Sequence, residues 1–211
     1  LKILNLYAGI GGNRKLWGDG HEITAIEYDE ATAETYKSFF PNDNVIVTDA
    51  HEYLLKNYMN FDFIWSSPPC PSHSRINFSQ VREIDYPDMR LYQEIILLQS
   101  WYNGRYCVEN VIPYYIPLIP AKEIDRHLFW SNFKIAKFTP SIKAKIRMQG
   151  GKIPFEDIFG INIDFSRIKD KRKALRNCVH PETGLHILNC AISSIKGIDV
   201  KQENLFESAT T

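Results

Sequence analysis

Apolar and polar positions in the first half of the chain follow two alternating rhythms. Short β-rich runs at 2–6, 22–26, 45–47, 61–65 and 106–109 are separated by stretches of helical periodicity at 13–17, 30–39, 52–58 and 89–101. Strand and helix alternating at this pitch predict βαβ units around a mainly parallel sheet. The runs Ile3-Leu4-Asn5-Leu6 and Phe61-Asp62-Phe63-Ile64-Trp65 are more apolar than alternating, as strands covered on both faces must be. After Val111 the rhythm breaks into Pro-rich, aromatic and basic sequence, with one further strand predicted at 126–131. Helical spacing returns at 181–195, where Leu185, Ile187, Leu188, Ala191, Ile192 and Ile195 recur and Pro181 stands at the helix start. Residues 198–211 read as a polar tail.

Ligands of such sheets bind outside the carboxyl ends of the strands. Chemistry is therefore expected just after Leu6, Ile26, Val47, Trp65 and Val108. The first of these ends carries Asn5 to Gly12, NLYAGIGG, whose glycines allow a sharp turn and close approach of a ligand to the backbone. Glu27 follows the second strand, where α/β nucleotide sites place an acid for ribose hydroxyls. Asp49 follows the third, placed to receive an adenine amino group. Together these acids point to a nucleoside-type cofactor.

The fourth strand ends in Ser66-Ser67-Pro68-Pro69-Cys70-Pro71-Ser72-His73-Ser74. A cysteine held between prolines at the mouth of a parallel sheet is a rigidly presented thiol, the setting of a nucleophile. Cys107, Cys178 and Cys190 lie in contexts that suit small buried hydrophobes, and no CxxC spacing suggests zinc or a disulfide framework. No metal is expected. The fifth strand ends in Val108-Glu109-Asn110-Val111, which puts a carboxyl group at the same edge as Cys70, in reach of a heterocycle nitrogen.

Composition adds little: 44% hydrophobic and 24% charged residues suit an ordinary globular domain. No apolar run is long enough to span a bilayer, and no export signal precedes the first strand, so a cytoplasmic monomer is expected. Charge changes the picture more. The chain is neutral overall, yet twelve Lys or Arg stand against four acids between Phe133 and Arg176. That segment carries +8, a face suited to a polyanion.

The ordered blocks NLYAGIGG, Pro69-Cys70, Glu109-Asn110-Val111 and Asn177-Cys178-Val179 resemble the signature blocks of the DNA cytosine-5 methyltransferase family. The resemblance covers residues 1–111 and returns near 175–192. It implies a Rossmann-like S-adenosylmethionine-dependent methyltransferase fold with a small target-recognition subdomain, and double-stranded DNA as partner. It implies that Tyr7, Ala8, Gly9, Gly11, Glu27, Asp49, Asn177 and Val179 hold S-adenosylmethionine. It makes Cys70 the nucleophile for carbon 6 of cytosine and Glu109 the group that contacts N3. The family's Arg block falls on Asp125-Arg126-His127, with one arginine where two are usual, and makes Arg126 catalytic or phosphate-binding. Pro71 replaces the usual Gln.

The expected organisation is a catalytic domain at 1–132, a basic target-recognition region at 133–176 and a returning segment at 177–197. So short a recognition region is similar to that of phage-type members, which suggests restriction-modification or phage protection. A buried cytosine must be flipped out of the duplex, and phosphate contacts must offset that cost. Lys143, Lys145, Arg147 and Arg172 are expected to supply them, with Ser72, Ser74 and Arg75 in a lid over 72–88. A +8 surface does not distinguish RNA from DNA as the substrate, and two further alternatives stand beside this reading. One is a DNA-binding homologue that has lost turnover. The other is an amino-methyltransferase, whose motif Ser67-Pro68-Pro69 would require an aromatic residue where Cys70 stands.

Overall fold

Lys2–Leu6 forms β1 with four of its five side chains buried, as its unbroken apolar run requires. The computed structural model describes residues 1–75, 86–140, 174–175 and 177–197. Around β1 lie β2 (Glu22–Glu27), β3 (Asn44–Val47), β4 (Phe63–Ser66), β5 (Arg105–Val111), β6 (Lys122–Ile124) and β7 (His127–Ser131). Their order across one sheet is β3-β2-β1-β4-β5-β7-β6. The first five strands pair in parallel, whereas β7 is antiparallel to both β5 and β6. This mainly parallel, Rossmann-like sheet matches the expected fold class.

Helices α1 (Glu30–Phe39), α2 (Ala50–Asn57), α3 (Arg90–Trp101) and α4 (Pro181–Ile195) cover the sheet. Leu54 of α2 and Leu91, Ile95 and Leu98 of α3 pack on Leu4, Leu6, Ile26, Ile64 and Val108. On the opposite face Ile187, Leu188 and Ala191 of α4 join Trp17 against Ile3, Phe63, Trp65 and Phe129. β1 and β4 thus divide their apolar residues between two cores, which is why they show no polar alternation. Asp29 and Asp49 cap α1 and α2 by accepting from Thr32 N and Glu52 N, each bond at 2.9 Å. Such caps are worth about 1 kcal/mol apiece.

The helix predicted at 13–17 is instead a series of turns. Arg14 N bonds to Gly11 O and Trp17 N to Arg14 O, three residues apart, and Gly18 then takes φ +72°. Glycines on both sides leave too few residues for a helical nucleus, and tertiary bonds from Asn13 and Arg14 claim the side chains. The short edge strand β6 was not foreseen. The strand predicted at 126–131 starts one residue later, because Asp125 and Arg126 form the turn between β6 and β7. Most of the basic region lies outside the described residues, as do Lys143, Lys145, Arg147, Arg172, the tail and the middle of the proposed lid. Among the described residues no helix is long and apolar enough to cross a membrane, and no cluster of His, Cys, Asp and Glu is arranged to hold a metal ion.

Candidate active site

The strand order reverses between β1 and β4, and the sheet opens there at its carboxyl edge. A cleft of about 550 Å³ occupies this point. At one end lie Tyr7, Ala8 and Gly9 after β1, Glu27 and Tyr28 after β2, and Asp49 after β3. At the other lie Ser67 to Pro71 after β4 and Glu109 to Val111 on β5. Asn177 and Val179 close the wall from the segment leading into α4. Nine of the predicted site residues are thus brought to one cavity from six separate stretches of chain.

The end of the cleft at Gly9 is organised by Glu27. Its Oε2 accepts from Gly9 N at 2.9 Å and its Oε1 from Asp29 N at 3.0 Å. Tyr7 and Gly9 both take φ +55°, and a Cβ on Gly9 would meet nothing within 4 Å, so its backbone faces open space. Gly11 does not line the cleft. It turns the chain at φ +83° beneath the Phe40 ring, 2.3 Å from where a Cβ would stand. Gly12 lies against Cys178 and Val179 O, so the Gly-rich turn meets the Asn177-Cys178-Val179 block directly. Asp49 is divided between capping α2 and a 3.9 Å contact with Arg90.

At the other end Cys70 is half-buried on the cleft wall. Its loop is fixed by His73 N and Ser74 N, which donate to Cys70 O at 3.0 and 3.1 Å. Ser74 forms a bridge with Pro113, Arg75 Nε donates to Pro113 O, and Ser72 Oγ accepts from Asp88 N. The polar groups of Ser72 and Arg75 therefore also hold the loop in place. Cys178 reaches the same cleft, but burial pushes its thiol up to about 12 and its Sγ donates to Ala174 O. Cys107 and Cys190 are buried with raised pKa values too, from desolvation.

Glu109 is 6% exposed. Burial raises its pKa to about 7, against the opposing pull of a Ser67 hydrogen bond and the Arg126 charge. A carboxyl group poised there can carry a proton at neutral pH. Arg126 is in the β6–β7 turn, outside the cleft lining, and acts on Glu109 through its field. His127, which sequence reasoning passed over, does line the cleft, with Nε2 3.6 Å from Glu109 Oε1. The geometry is that of an ion pair, but burial pushes His127 down to about 3, so it meets Glu109 as a neutral ring. Its position beside Arg126 on a predicted strand was the signal available.

Residues 1–98 match the family model of the C-5 cytosine-specific DNA methylases. The match covers 98 of the 211 residues. Among curated relatives, the rat tRNA (cytosine(38)-C(5))-methyltransferase is 32% identical over 82 residues, covering 36% of this chain and 21% of the relative. The human protein of the same name is 30% identical over 96 residues, covering 43% and 24%. The chain thus accounts for about a fifth to a quarter of these relatives' length. Among solved structures, Spodoptera frugiperda DNMT2 is 30% identical, covering 52% of this chain and 35% of that one, at a TM-score of 0.37. A putative DNA modification methyltransferase from an Escherichia coli prophage is 23% identical, covering 55% and 33%, at 0.38.

The family implies S-adenosylmethionine as methyl donor, and the residues present suit it. The carboxylates of Glu27 and Asp49 match ribose hydroxyls and an adenine amino group. Tyr28, 77% exposed beside Glu27, offers an aromatic surface, and the bare Gly9 backbone admits close approach.

Proposed function

We propose that the chain is a DNA cytosine-5 methyltransferase. Residues 1–132 and 177–197 form its catalytic unit, and the basic region 133–176 contacts the target. The observation that carries this reading is the shared cleft: the Cys70 thiol and the proton-bearing Glu109 face the same cavity as Glu27 and Gly9. S-adenosylmethionine, bound at Tyr7 to Gly9, Glu27, Asp49, Asn177 and Val179, supplies an electrophilic methyl group.

The Cys70 thiolate adds to carbon 6 of a flipped cytosine, forming a C–S bond, while Glu109 gives its proton to N3 and so draws off the charge that would build on the ring. Carbon 5 becomes the nucleophile that takes the methyl group. Water takes the carbon 5 proton, the electron pair left behind expels the Cys70 thiolate as the C–S bond breaks, and N3 gives its proton back to Glu109. Arg126 supports this end of the site through its charge. Lys143, Lys145, Arg147 and Arg172, with Ser72, Ser74 and Arg75, contact the phosphate backbone.

A second reading, RNA as substrate, is favoured by the curated relatives, which are named for a tRNA cytosine. Phosphate contacts alone do not separate the two polyanions. The test is adduct formation on 5-fluorocytosine, whose fluorine blocks the final elimination. With S-adenosylmethionine, 5-fluorocytosine duplex DNA should give a covalent complex that survives denaturation and is absent from Cys70→Ala. A complex with a tRNA stem-loop instead moves the substrate to RNA. No complex and no methyl transfer on either leaves a binding protein without turnover. Label on an exocyclic nitrogen supports an amino-methyltransferase.

A further inference from the structure

Glu94, in the second turn of α3, is completely shielded from solvent, and the chemistry above gives it no part. Its two oxygens gather groups from three other elements. Tyr7 Oη donates to Oε1 at 2.6 Å, His51 Nδ1 lies 3.0 Å from the same oxygen, and Ser66 Oγ donates to Oε2 at 2.6 Å. Tyr7 follows β1, Ser66 ends β4 and His51 sits in the first turn of α2. These are the strand and helix ends on which the cleft is built, and Tyr7 is itself part of the cleft wall.

A buried carboxylate is costly unless its lone pairs are filled, and an apolar residue would serve the α3 core more cheaply. Three short bonds therefore point to geometry as what Glu94 provides. Tyr7 needs such an anchor: its φ of +55° is unfavourable for an aromatic residue and persists only where the surroundings hold it. The bond between its hydroxyl and Glu94 pins the ring below the cleft, and the following Ala8 and Gly9 are then presented to the cofactor. Burial and the Glu94 charge push the phenol further up from its ordinary pKa, so it remains a donor throughout the working pH range.

We propose that Glu94 is a positioning residue that sets cofactor affinity by holding Tyr7, and through it the Tyr7-Ala8-Gly9 backbone, in the binding conformation. This rests on the reading that the cleft takes S-adenosylmethionine. The test is calorimetric titration of the full chain with S-adenosylhomocysteine, the demethylated product, for the wild type, E94Q, Y7F and the double variant. Loss of a hydrogen bond to a charged partner predicts that each single change weakens binding about tenfold. Because both act through one bond, the double variant should be no more than about twofold weaker than the worse single one. E94Q should also raise KM for the cofactor by a larger factor than it lowers kcat.

Unchanged affinity in E94Q and Y7F overturns the proposal, and fully additive losses overturn the route through Tyr7. Should E94Q fail to fold, Y7F decides alone: weakened binding supports the proposal and wild-type affinity refutes it. A wild-type protein that does not bind S-adenosylhomocysteine removes the cofactor reading and this inference with it, an outcome distinct from normal wild-type binding with insensitive variants.

Discussion

Asn110 Nδ2 donates to the carbonyl of Pro68 at 2.9 Å, so the strand that carries Glu109 also holds the backbone two residues before Cys70. The same side chain accepts from Val111 N at 2.9 Å and is 2% exposed. This amide therefore joins the β4–β5 pairing in fixing the separation between thiol and carboxyl group. Asn110→Ala leaves a buried carbonyl unpaired, at a cost of about 1–3 kcal/mol. It should lower the rate of methyl transfer by at least about tenfold. Affinity for S-adenosylhomocysteine should change little, because Glu27 and Gly9 lie at the far end of the cleft. Single-turnover kinetics and calorimetry on the same variant check both halves.

On the proposed mechanism, Glu109 makes methyl transfer pH-dependent in a definite direction. Its pKa is raised from 4.5 to about 7, so the protonated form needed at N3 is depleted as pH rises through 7. Methyl transfer should show a descending limb near that pH, and Glu109→Gln, slow but unable to ionise, should lack it. Stability carries the same signature. Below 4.5 both states hold the proton and nothing is lost. Between 4.5 and 7 the unfolded chain ionises first, so wild-type stability falls relative to Glu109→Gln and levels off above 7. The difference is on the order of 3 kcal/mol. Denaturation of both proteins across this range measures it, and a constant difference would remove the buried proton from the mechanism.

Parallel strands and their helices were legible because burial on both faces writes itself into unbroken apolar runs, as in Phe63 to Trp65. That the blocks around Gly9 and Cys70 meet at one cleft was legible because each stands at a strand end, where the fold leaves the backbone open. Residues acting through tertiary bonds left no such trace. Asn13 and Arg14 look like a helix start until Asn5 and Asp43 claim their side chains. Glu94 looks like a solvent-facing position of α3, since nothing local reveals that Tyr7, His51 and Ser66 converge on it. His127 was overshadowed by Arg126, whose charge is conspicuous in sequence although its side chain does not line the cleft.

Gly184, inside α4, appears at first to be a weakness, since glycine costs a helix interior about 1 kcal/mol relative to alanine. A Cβ there would stand 2.2 Å from Asn13 O, and backbone cannot yield as a flexible side chain would. Gly184→Ala should therefore destabilise the protein, by about 1–3 kcal/mol, despite its better helix propensity. Because Asn13 is in the cleft wall, cofactor affinity should fall as well. A gain in melting temperature would show that α4 shifts freely on the turn.

Arg14 and Asp43 form a buried pair, Nε to Oδ2 at 2.9 Å and Nη2 to Oδ1 at 3.0 Å, with side chains only 4% and 3% exposed. Tyr36 Oη adds a 2.7 Å bond to Oδ2, Lys37 Nζ donates to the Asp43 carbonyl, and the guanidinium lies 4.8 Å from the centre of the Phe40 ring. That ring is the one packed on Gly11, so the pair supports the Gly-rich turn from below. Asp43→Ala leaves the buried guanidinium with the exposed Asp19 carboxylate 3.8 Å away and should cost about 3–5 kcal/mol, whereas Arg14→Met with Asp43→Ala removes both charges and should recover a large part of that loss. If the double variant is as unstable as the single one, packing of the Asp43 loop, and not charge, is what the pair provides. Chemical denaturation of the three proteins distinguishes the two, and a recovered fold with weakened S-adenosylhomocysteine binding would assign the pair's remaining role to the turn at Gly11.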